Sequence, residues 1–158
     1  MPIMTVVRRA VLGDAEELVR LRKIMLDSMN PSDDVSWQQS ALSSLRTHLA
    51  DQEGELTAFV VDDPSGSGGL AACAAGVIQR SLGSPGNPSG TSGHIFNVCT
   101  DPGHRRQGYS RACMEALLAW YKERDVRRVD LHATADGEPL YASLGFDRSA
   151  APSMRLTL

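Results

Sequence analysis

The sequence predicts an α/β domain (of the α+β type), with a central mixed, mostly antiparallel sheet and helices on both of its faces. Three observations predict it. Apolar residues switch along the chain between helical spacing and short strand-length runs. The runs at 56–61, 70–79 and 94–99 follow one another with no helix between them, which requires antiparallel neighbours. A later strand–helix–strand unit requires a parallel pair. A chain of 158 residues is expected to form one domain spanning 1–158, with a substantial core.

In order, residues 5–11 read as a first strand. Asp14 opens a helix, with Glu17 three residues on in a capping-box spacing. Leu18, Leu21 and Met25 recur at helical spacing, and Arg20, Arg22 and Lys23 are expected to face outward. Asn30 to Asp34 breaks the chain, and Trp37, Ala41, Leu45 and Leu49 then fall four apart on one helical stripe. The strands at 56–61 and 70–79 are joined by the hairpin-type loop Asp62-Asp-Pro-Ser-Gly-Ser-Gly-Gly69. Residues 81–93 are polar and rich in Gly and Pro; they read as a long mobile loop beside the acceptor end of any cleft. A strand at 94–99, a helix at 110–124 and a strand at 126–132 follow. Residues 136–144 read as a short helix, Gly145-Phe146 as the start of another strand, and 154–158 as an edge strand.

Composition excludes some classes. With 42% apolar and 22% charged residues the chain has an ordinary soluble makeup, and a net charge of −3 offers no general attraction to nucleic acid or anionic membrane. No apolar run approaches the roughly 18 residues of a spanning helix. Met1-Pro-Ile-Met-Thr-Val-Val-Arg-Arg9 places charge after its apolar residues and lacks a small-residue cleavage site, so no signal peptide is expected. Cys73, Cys99 and Cys113 are scattered and odd in number, which fits a reducing cytoplasm and argues against zinc. The separated histidines, His104 included, offer no metal-ligand spacing.

Arg105-Arg106-Gln107-Gly108-Tyr109-Ser110 joins a strand end to a helix start. A helix N-terminus presents unpartnered N–H groups and a partial positive charge, glycine lets the chain turn tightly, and two arginines add charge. These residues read either as a phosphate site or as a solvated arginine turn with Ser110 as a cap.

Two flanking stretches break that tie. Gly93-His-Ile-Phe-Asn-Val-Cys-Thr-Asp-Pro102 precedes the arginines, and Leu131 to Phe146 follows, containing Leu-Tyr-Ala-Ser-Leu-Gly-Phe. In this order they resemble the GNAT superfamily of acyl-CoA-dependent N-acyltransferases. That family has a strand, Arg/Gln-x-x-Gly-x-Gly/Ala opening a helix, a second strand, and a helix carrying Tyr ahead of Gly-Phe. Arg105, Gly108 and Ser110 match the loop; Tyr141, Gly145 and Phe146 match the later positions. Ser110 stands where the family usually has Gly or Ala, leaving less room for a pyrophosphate.

The resemblance implies acetyl-CoA as co-substrate and no metal. The CoA pyrophosphate would lie on the Arg105, Arg106, Gln107, Gly108, Tyr109 and Ser110 loop. Pantetheine would lie along the main chain of Val98, Cys99 and Thr100, with one N–H polarising the acyl carbonyl. Tyr141 would protonate the departing CoA thiolate, a role open to a phenol that is protonated at neutral pH; its alternative is an aromatic packed under a strand with its hydroxyl bonded to backbone. A covalent Cys99–His94 route is set aside, since residues five apart on a regular strand face opposite ways and lie roughly 16 Å apart. His94 is the nearest titratable group for taking the amine proton, with Asp101 and Glu138 as others. Trp120 and Tyr121 are expected in the core.

The expected partner is an amine, small-molecule or peptide, with a homodimer left open and neither nucleic acid nor membrane involved. The competing readings are a non-catalytic acyl-CoA-binding regulatory module and a nucleic-acid module built on the arginine pairs. Tyr141 favours the enzyme over the first; the acidic net charge and missing stacking motifs oppose the second.

Overall fold

The computed structural model describes residues 5–158. Its sheet has the order β1-β2-β3-β4-β5, formed by Arg8–Arg9, Leu56–Asp62, Leu70–Arg80, Thr91–Thr100 and Val129–Leu131. β1 to β4 pair antiparallel and β5 lies parallel to β4, giving the expected mixed sheet. α1 (Ala15–Met29) and α2 (Gln38–Ala50) cover one face; α3 (Tyr109–Glu123) and α4 (Glu138–Ser143) pack with the core on the other.

β3 is the spine. Its Ala71, Ala72, Cys73, Ala74 and Ala75 are essentially inaccessible to solvent, and their small side chains let helices press close on both faces. Cys73 and Ala75 join Leu18, Leu21 and Leu49 on the α1/α2 side, while Ala74 and Ile78 join Cys113, Met114 and Leu117 beneath α3. Trp120 and Tyr121 are buried there, as the helical spacing predicts.

Tyr121 fixes the middle of the sheet. Its hydroxyl donates to the carbonyls of Val77 (3.1 Å) and His94 (3.3 Å), which face each other across β3 and β4. The ring occupies the space above Gly76 and Gly93: a β-carbon on Gly93 would stand 2.5 Å from it, and one on Gly76 only 2.2 Å from the hydroxyl. One residue past this staple the register shifts, with Gly76 opposite Ile95 and Ala75 opposite Asn97. Phe96 is therefore the extra residue of a β-bulge.

Several expectations need correction. The first strand is short: its ladder with β2 covers Arg8–Arg9, and the Ala10 N–H adds one further bond to the Ala58 carbonyl (2.8 Å). Asp14 stands at the N-cap of α1 as expected, but its side chain makes no capping bond: it accepts from both Arg8 Nη atoms (2.7 and 2.8 Å) and from the Val11 N–H (2.8 Å), while Glu17 accepts from the Leu70 N–H (2.8 Å) rather than closing a capping box. β5 is shorter than predicted because Val126 belongs to the C-terminal cap of α3. Asp125 takes φ +57°, and the Val126 N–H returns to the Tyr121 carbonyl (3.0 Å) as in a Schellman motif. Gly145-Phe146 starts no strand either. Gly145 has φ +101° and the Phe146 N–H bonds the Tyr141 carbonyl (3.0 Å), so the Tyr-to-Gly-Phe stretch is the closing cap of α4. Residues 154–158 pair with nothing described and leave Met154, Leu156 and Leu158 exposed.

The loop at 81–93 is shorter and better packed than predicted. β4 already begins at Thr91, Ser84 and Asn87 form a bridge, and buried Asn87 donates to the Thr91 carbonyl (3.2 Å). A polar, Gly/Pro-rich loop can be ordered when it satisfies its own backbone.

Substituting Gly93→Ala is expected to cost about 1–3 kcal/mol, because Tyr121 must move off its two carbonyls. Urea and thermal unfolding measure it, with a fall in midpoint of several degrees expected; an unchanged midpoint would show that the ring is not confined.

Candidate active site

β4 and β5 pair only over Gly93↔Val129, His94↔Asp130 and Ile95↔Leu131. Past Ile95, β4 keeps its β3 neighbour but has no partner on its other edge among the described residues. The Asp101 N–H donates to the Ala71 carbonyl (2.8 Å) on the β3 side, so strand alternation turns the N–H groups of Val98 and Thr100 toward the open edge. The bulge at Phe96 marks where the gap begins.

The gap leads to the start of α3. Arg106 (φ +64°) and Gly108 (φ +77°) are both left-handed, so the chain from Arg105 to Gly108 curls its amides inward, as in an anion-binding nest. The first helical bond of α3 is Ala112 N–H to the Gly108 carbonyl (3.0 Å), and the amides of Tyr109, Ser110 and Arg111 have no partner among the described residues. Arg105, Arg106 and Gln107 are exposed. Ser110 does not cap the helix; its hydroxyl bonds that of Thr100, tying the strand end to the first turn of α3. The residue at the N-cap is Gly108.

Tyr141 reaches this region through α4. Arg111, in the first turn of α3, donates to the Ser143 hydroxyl and so holds α4 beside the nest. The Tyr141 ring packs edge-on to Phe146 (centroids 6.1 Å apart) and against the α3 core. Its hydroxyl makes no hydrogen bond among the described residues, unlike that of Tyr121, and burial raises its pKa.

The titratable groups near the split separate clearly. His94 lies one residue before the end of pairing, its ring edge-on to His132 with centroids 5.7 Å apart. Burial, with a smaller contribution from His132, holds its pKa below 6.5 against the opposing pull of Asp130, so the ring is neutral at pH 7. Asp101 is held by Arg20 at 2.7 Å and Glu138 by Arg148; each pairing lowers the carboxyl pKa, making both poor bases.

The bulge also decides which way Cys99 faces relative to His94. In the observed register both His94 and Cys99 lie on the α1/α2 face, because the extra residue restores the parity that strict alternation would break. The pair still fails chemically. About five residues of strand separate them, and burial pushes the Cys99 thiol up to about 11.

Arg22 was missed by the outward assignment. It is half-buried, with its guanidinium 6.0 Å from the Phe96 ring centroid, and it borders a cavity of about 120 Å³ beside the bulge. Its spacing held the signal: four residues after Leu18 and three before Met25, it falls on the apolar stripe. A larger cavity of about 290 Å³ lies at the other end of β4, between Glu55, Arg80, Thr91 and Arg124. The 81–90 loop is at that end too, and Thr91 lies roughly 16 Å of strand before Phe96, where the gap begins, so the loop does not adjoin it.

The acetyltransferase (GNAT) family model matches residues 18–146. The chain belongs to this family. Among solved structures, the fold of this GNAT protein matches a GCN5-related N-acetyltransferase from Ralstonia eutropha (26% identity, TM-score 0.82, 97% of this chain and 99% of that one). It also matches a predicted acetyltransferase from Clostridium acetobutylicum solved with acetyl-CoA (23% identity, TM-score 0.84, 98% and 96% covered). A curated relative, histone acetyltransferase TAP1 of Glycine max, is 34% identical over 83 residues, covering 44% of this chain and 36% of the relative. A probable acetyltransferase, TAP2 of the same plant, is also 34% identical over 83 residues, with 34% of its length covered. The chain thus spans about a third of these curated relatives. Among the described residues no group of three or more His, Cys, Asp or Glu could hold a metal, and no helix is long and apolar enough to cross a membrane.

His94 is expected to titrate below 6.5, and His132→Ala to raise its midpoint by removing a like charge. NMR of the imidazole ring protons across pH measures both; a midpoint at or above 6.5 in the wild type would contradict the assignment.

Proposed function

We propose that this GNAT protein is an N-acetyltransferase that moves an acetyl group from acetyl-CoA to a primary amine by direct attack in a ternary complex. The observation that carries the reading is the continuity of two unpartnered donor sets. The free edge of β4 at Val98 to Thr100 runs into the nest of Arg105 to Ser110, with its unbonded amides. A CoA molecule has matching parts in the same order, an amide-bearing pantetheine followed by a pyrophosphate.

In this reading the Gly108, Tyr109 and Ser110 amides bind the pyrophosphate, with Arg105, Arg106 and Gln107 around it. Main-chain groups of Val98, Cys99 and Thr100 align the pantetheine. An open-edge N–H of β4 points at the thioester oxygen and stabilises the negative charge that develops there, a term worth about 10²–10³ in rate. The amine nitrogen attacks the carbonyl carbon, and collapse of the tetrahedral adduct breaks the C–S bond with the electron pair leaving on sulfur. Tyr141 gives its phenolic proton to that sulfur; the raised pKa and unshared hydroxyl keep the proton available. The ammonium proton leaves through His94, directly or through water, because its neutral ring can accept at pH 7.

Two substitutions test the assignments separately. Gly108→Val strains a φ of +77° and is expected to weaken acetyl-CoA binding about tenfold or more, measured by calorimetry on a variant whose melting curve shows that it folds. Unchanged affinity would remove the nest from the site. Tyr141→Phe is expected to lower turnover by about 10²–10⁴-fold while leaving acetyl-CoA affinity intact. Steady-state CoA release across pH measures this; equal turnover at every pH would leave Tyr141 with a packing role alone.

A further inference from the structure

Two arginines on or beside α1 are neutralised by carboxylates. Arg8 pairs with Asp14 and Asp62, and Arg20 with Glu17 and Asp101. Arg22 has none among the described residues. Only its Nη1 is used, at long range, toward the Phe96 carbonyl (3.4 Å) and the Asn97 side-chain oxygen (3.3 Å). Nε and Nη2 have no described partner. Burial lowers the Arg22 pKa, yet a guanidinium stays charged in any protein setting. A half-buried cation without a counter-ion is an unfavourable arrangement, and it persists here beside a small empty space.

That space has a restricted chemistry. Leu18, Leu45, Ala75 and Phe96 give the cavity apolar walls; Arg22 and Asn97 give it polarity. At about 120 Å³ it is well below the roughly 300–1,000 Å³ of pockets for drug-sized ligands, so it accepts one end of a molecule. Asn97 is almost fully buried, and its amide nitrogen is directed to the Cys73 sulfur (3.5 Å), leaving its oxygen toward the guanidinium. The bulge places Phe96 and Asn97 on this face just where β4 parts from β5. An anionic group held here therefore sits close to the start of the gap.

We propose that Arg22 and this cavity bind a carboxylate carried by the acceptor, so that the amine acetylated is of the amino-acid type. The assignment rests on the N-acetyltransfer reading for which group of the acceptor reacts. The planar guanidinium fork matches a carboxylate through two parallel bonds. A single positive charge between apolar walls balances a monoanion, whereas a dianionic phosphate would bring an uncompensated charge into the cavity. An amine on a neighbouring carbon then lies toward the thioester.

The test separates binding from turnover. Calorimetry of N-acetyl L-amino acids and their matching amides against the CoA-loaded full chain reads the anion site without any reaction. The acids are expected to bind at least about tenfold tighter than the amides. Arg22→Gln is expected to abolish that preference by weakening the acids alone. Asn97→Asp provides a second route, since an internal carboxylate would neutralise Arg22 in place and equally remove the preference. Steady-state CoA release with the free amino acids and their amides completes the set, the Arg22→Gln loss falling on KM for the acids. Equal binding of acids and amides by the wild type overturns the proposal, whatever the turnover. So does an Arg22→Gln variant that loses acids, amides and CoA alike, which would make Arg22 a brace for the bulge. Selective acid binding with no CoA release from any acceptor upholds the anion site and sinks the transferase reading instead.

Discussion

The arrangement depends on one hydroxyl shared by two carbonyls. Tyr121 stands over Gly76 and Gly93 and bonds Val77 and His94, locking β3 to β4 one pair before the last regular pair, Gly76 and Ile95, beyond which the register slips. Because the pair is held there, the extra residue is accommodated at Phe96. Beyond that point β4 follows β3 and leaves β5 behind. The open edge, the orientation of the Val98 and Thr100 amides, and the approach to the α3 nest all follow from where this slip occurs. A core contact under α3 thereby sets the geometry of a surface gap.

Electrostatics around the gap divides by pairing. Glu17, Asp101 and Glu138 are each committed to an arginine, which takes these carboxylates out of proton traffic. Among the described residues, the groups left uncommitted include the Tyr141 hydroxyl, the His94 ring, the α3 amides, Arg22 and the exposed Arg105 and Arg106. They sit at different positions around the gap, with Tyr141 on the α3 side and His94 and Arg22 on the α1/α2 side. On the proposed reaction, the CoA thiolate at the β4 edge would meet Tyr141 from the α3 side and the acceptor would approach from the α1/α2 side.

Legibility in the sequence followed chemical locality. The nest of Arg105 to Ser110 was readable because helix start, glycine and charge are adjacent in the chain, and Tyr141, Gly145 and Phe146 because they form one local unit. The unit itself was misassigned: a positive φ at Gly145 and the return bond from Phe146 make it a helix cap, where a following strand was expected. The Phe96 bulge could not be read, since it arises from the fit of β4 against β3 and Tyr121, which are distant in sequence. Arg22 combines a charged residue type, which suggests solvent, with a spacing from Leu18 and Met25 that puts it on the packed side of α1, and position prevails. The 81–90 loop was misplaced because its distance from the gap is set by the length and direction of β4, which composition does not report.

Burial of the cysteines has a consequence for the handling of an activated thioester. A thiolate beside such a molecule would undergo exchange with it, releasing CoA and leaving the protein acylated. Cys99 lies on the very strand proposed to carry pantetheine. Its side chain, however, turns to the α1/α2 core, where burial pushes the thiol up to about 11, so that only on the order of one molecule in ten thousand is ionised at neutral pH. Cys73 and Cys113 are buried and shifted upward as well. In the proposed binding mode the strand would therefore hold the CoA sulfur near Cys99 without trans-thioesterification, and the same burial shields the thiols from reagents in the folded chain.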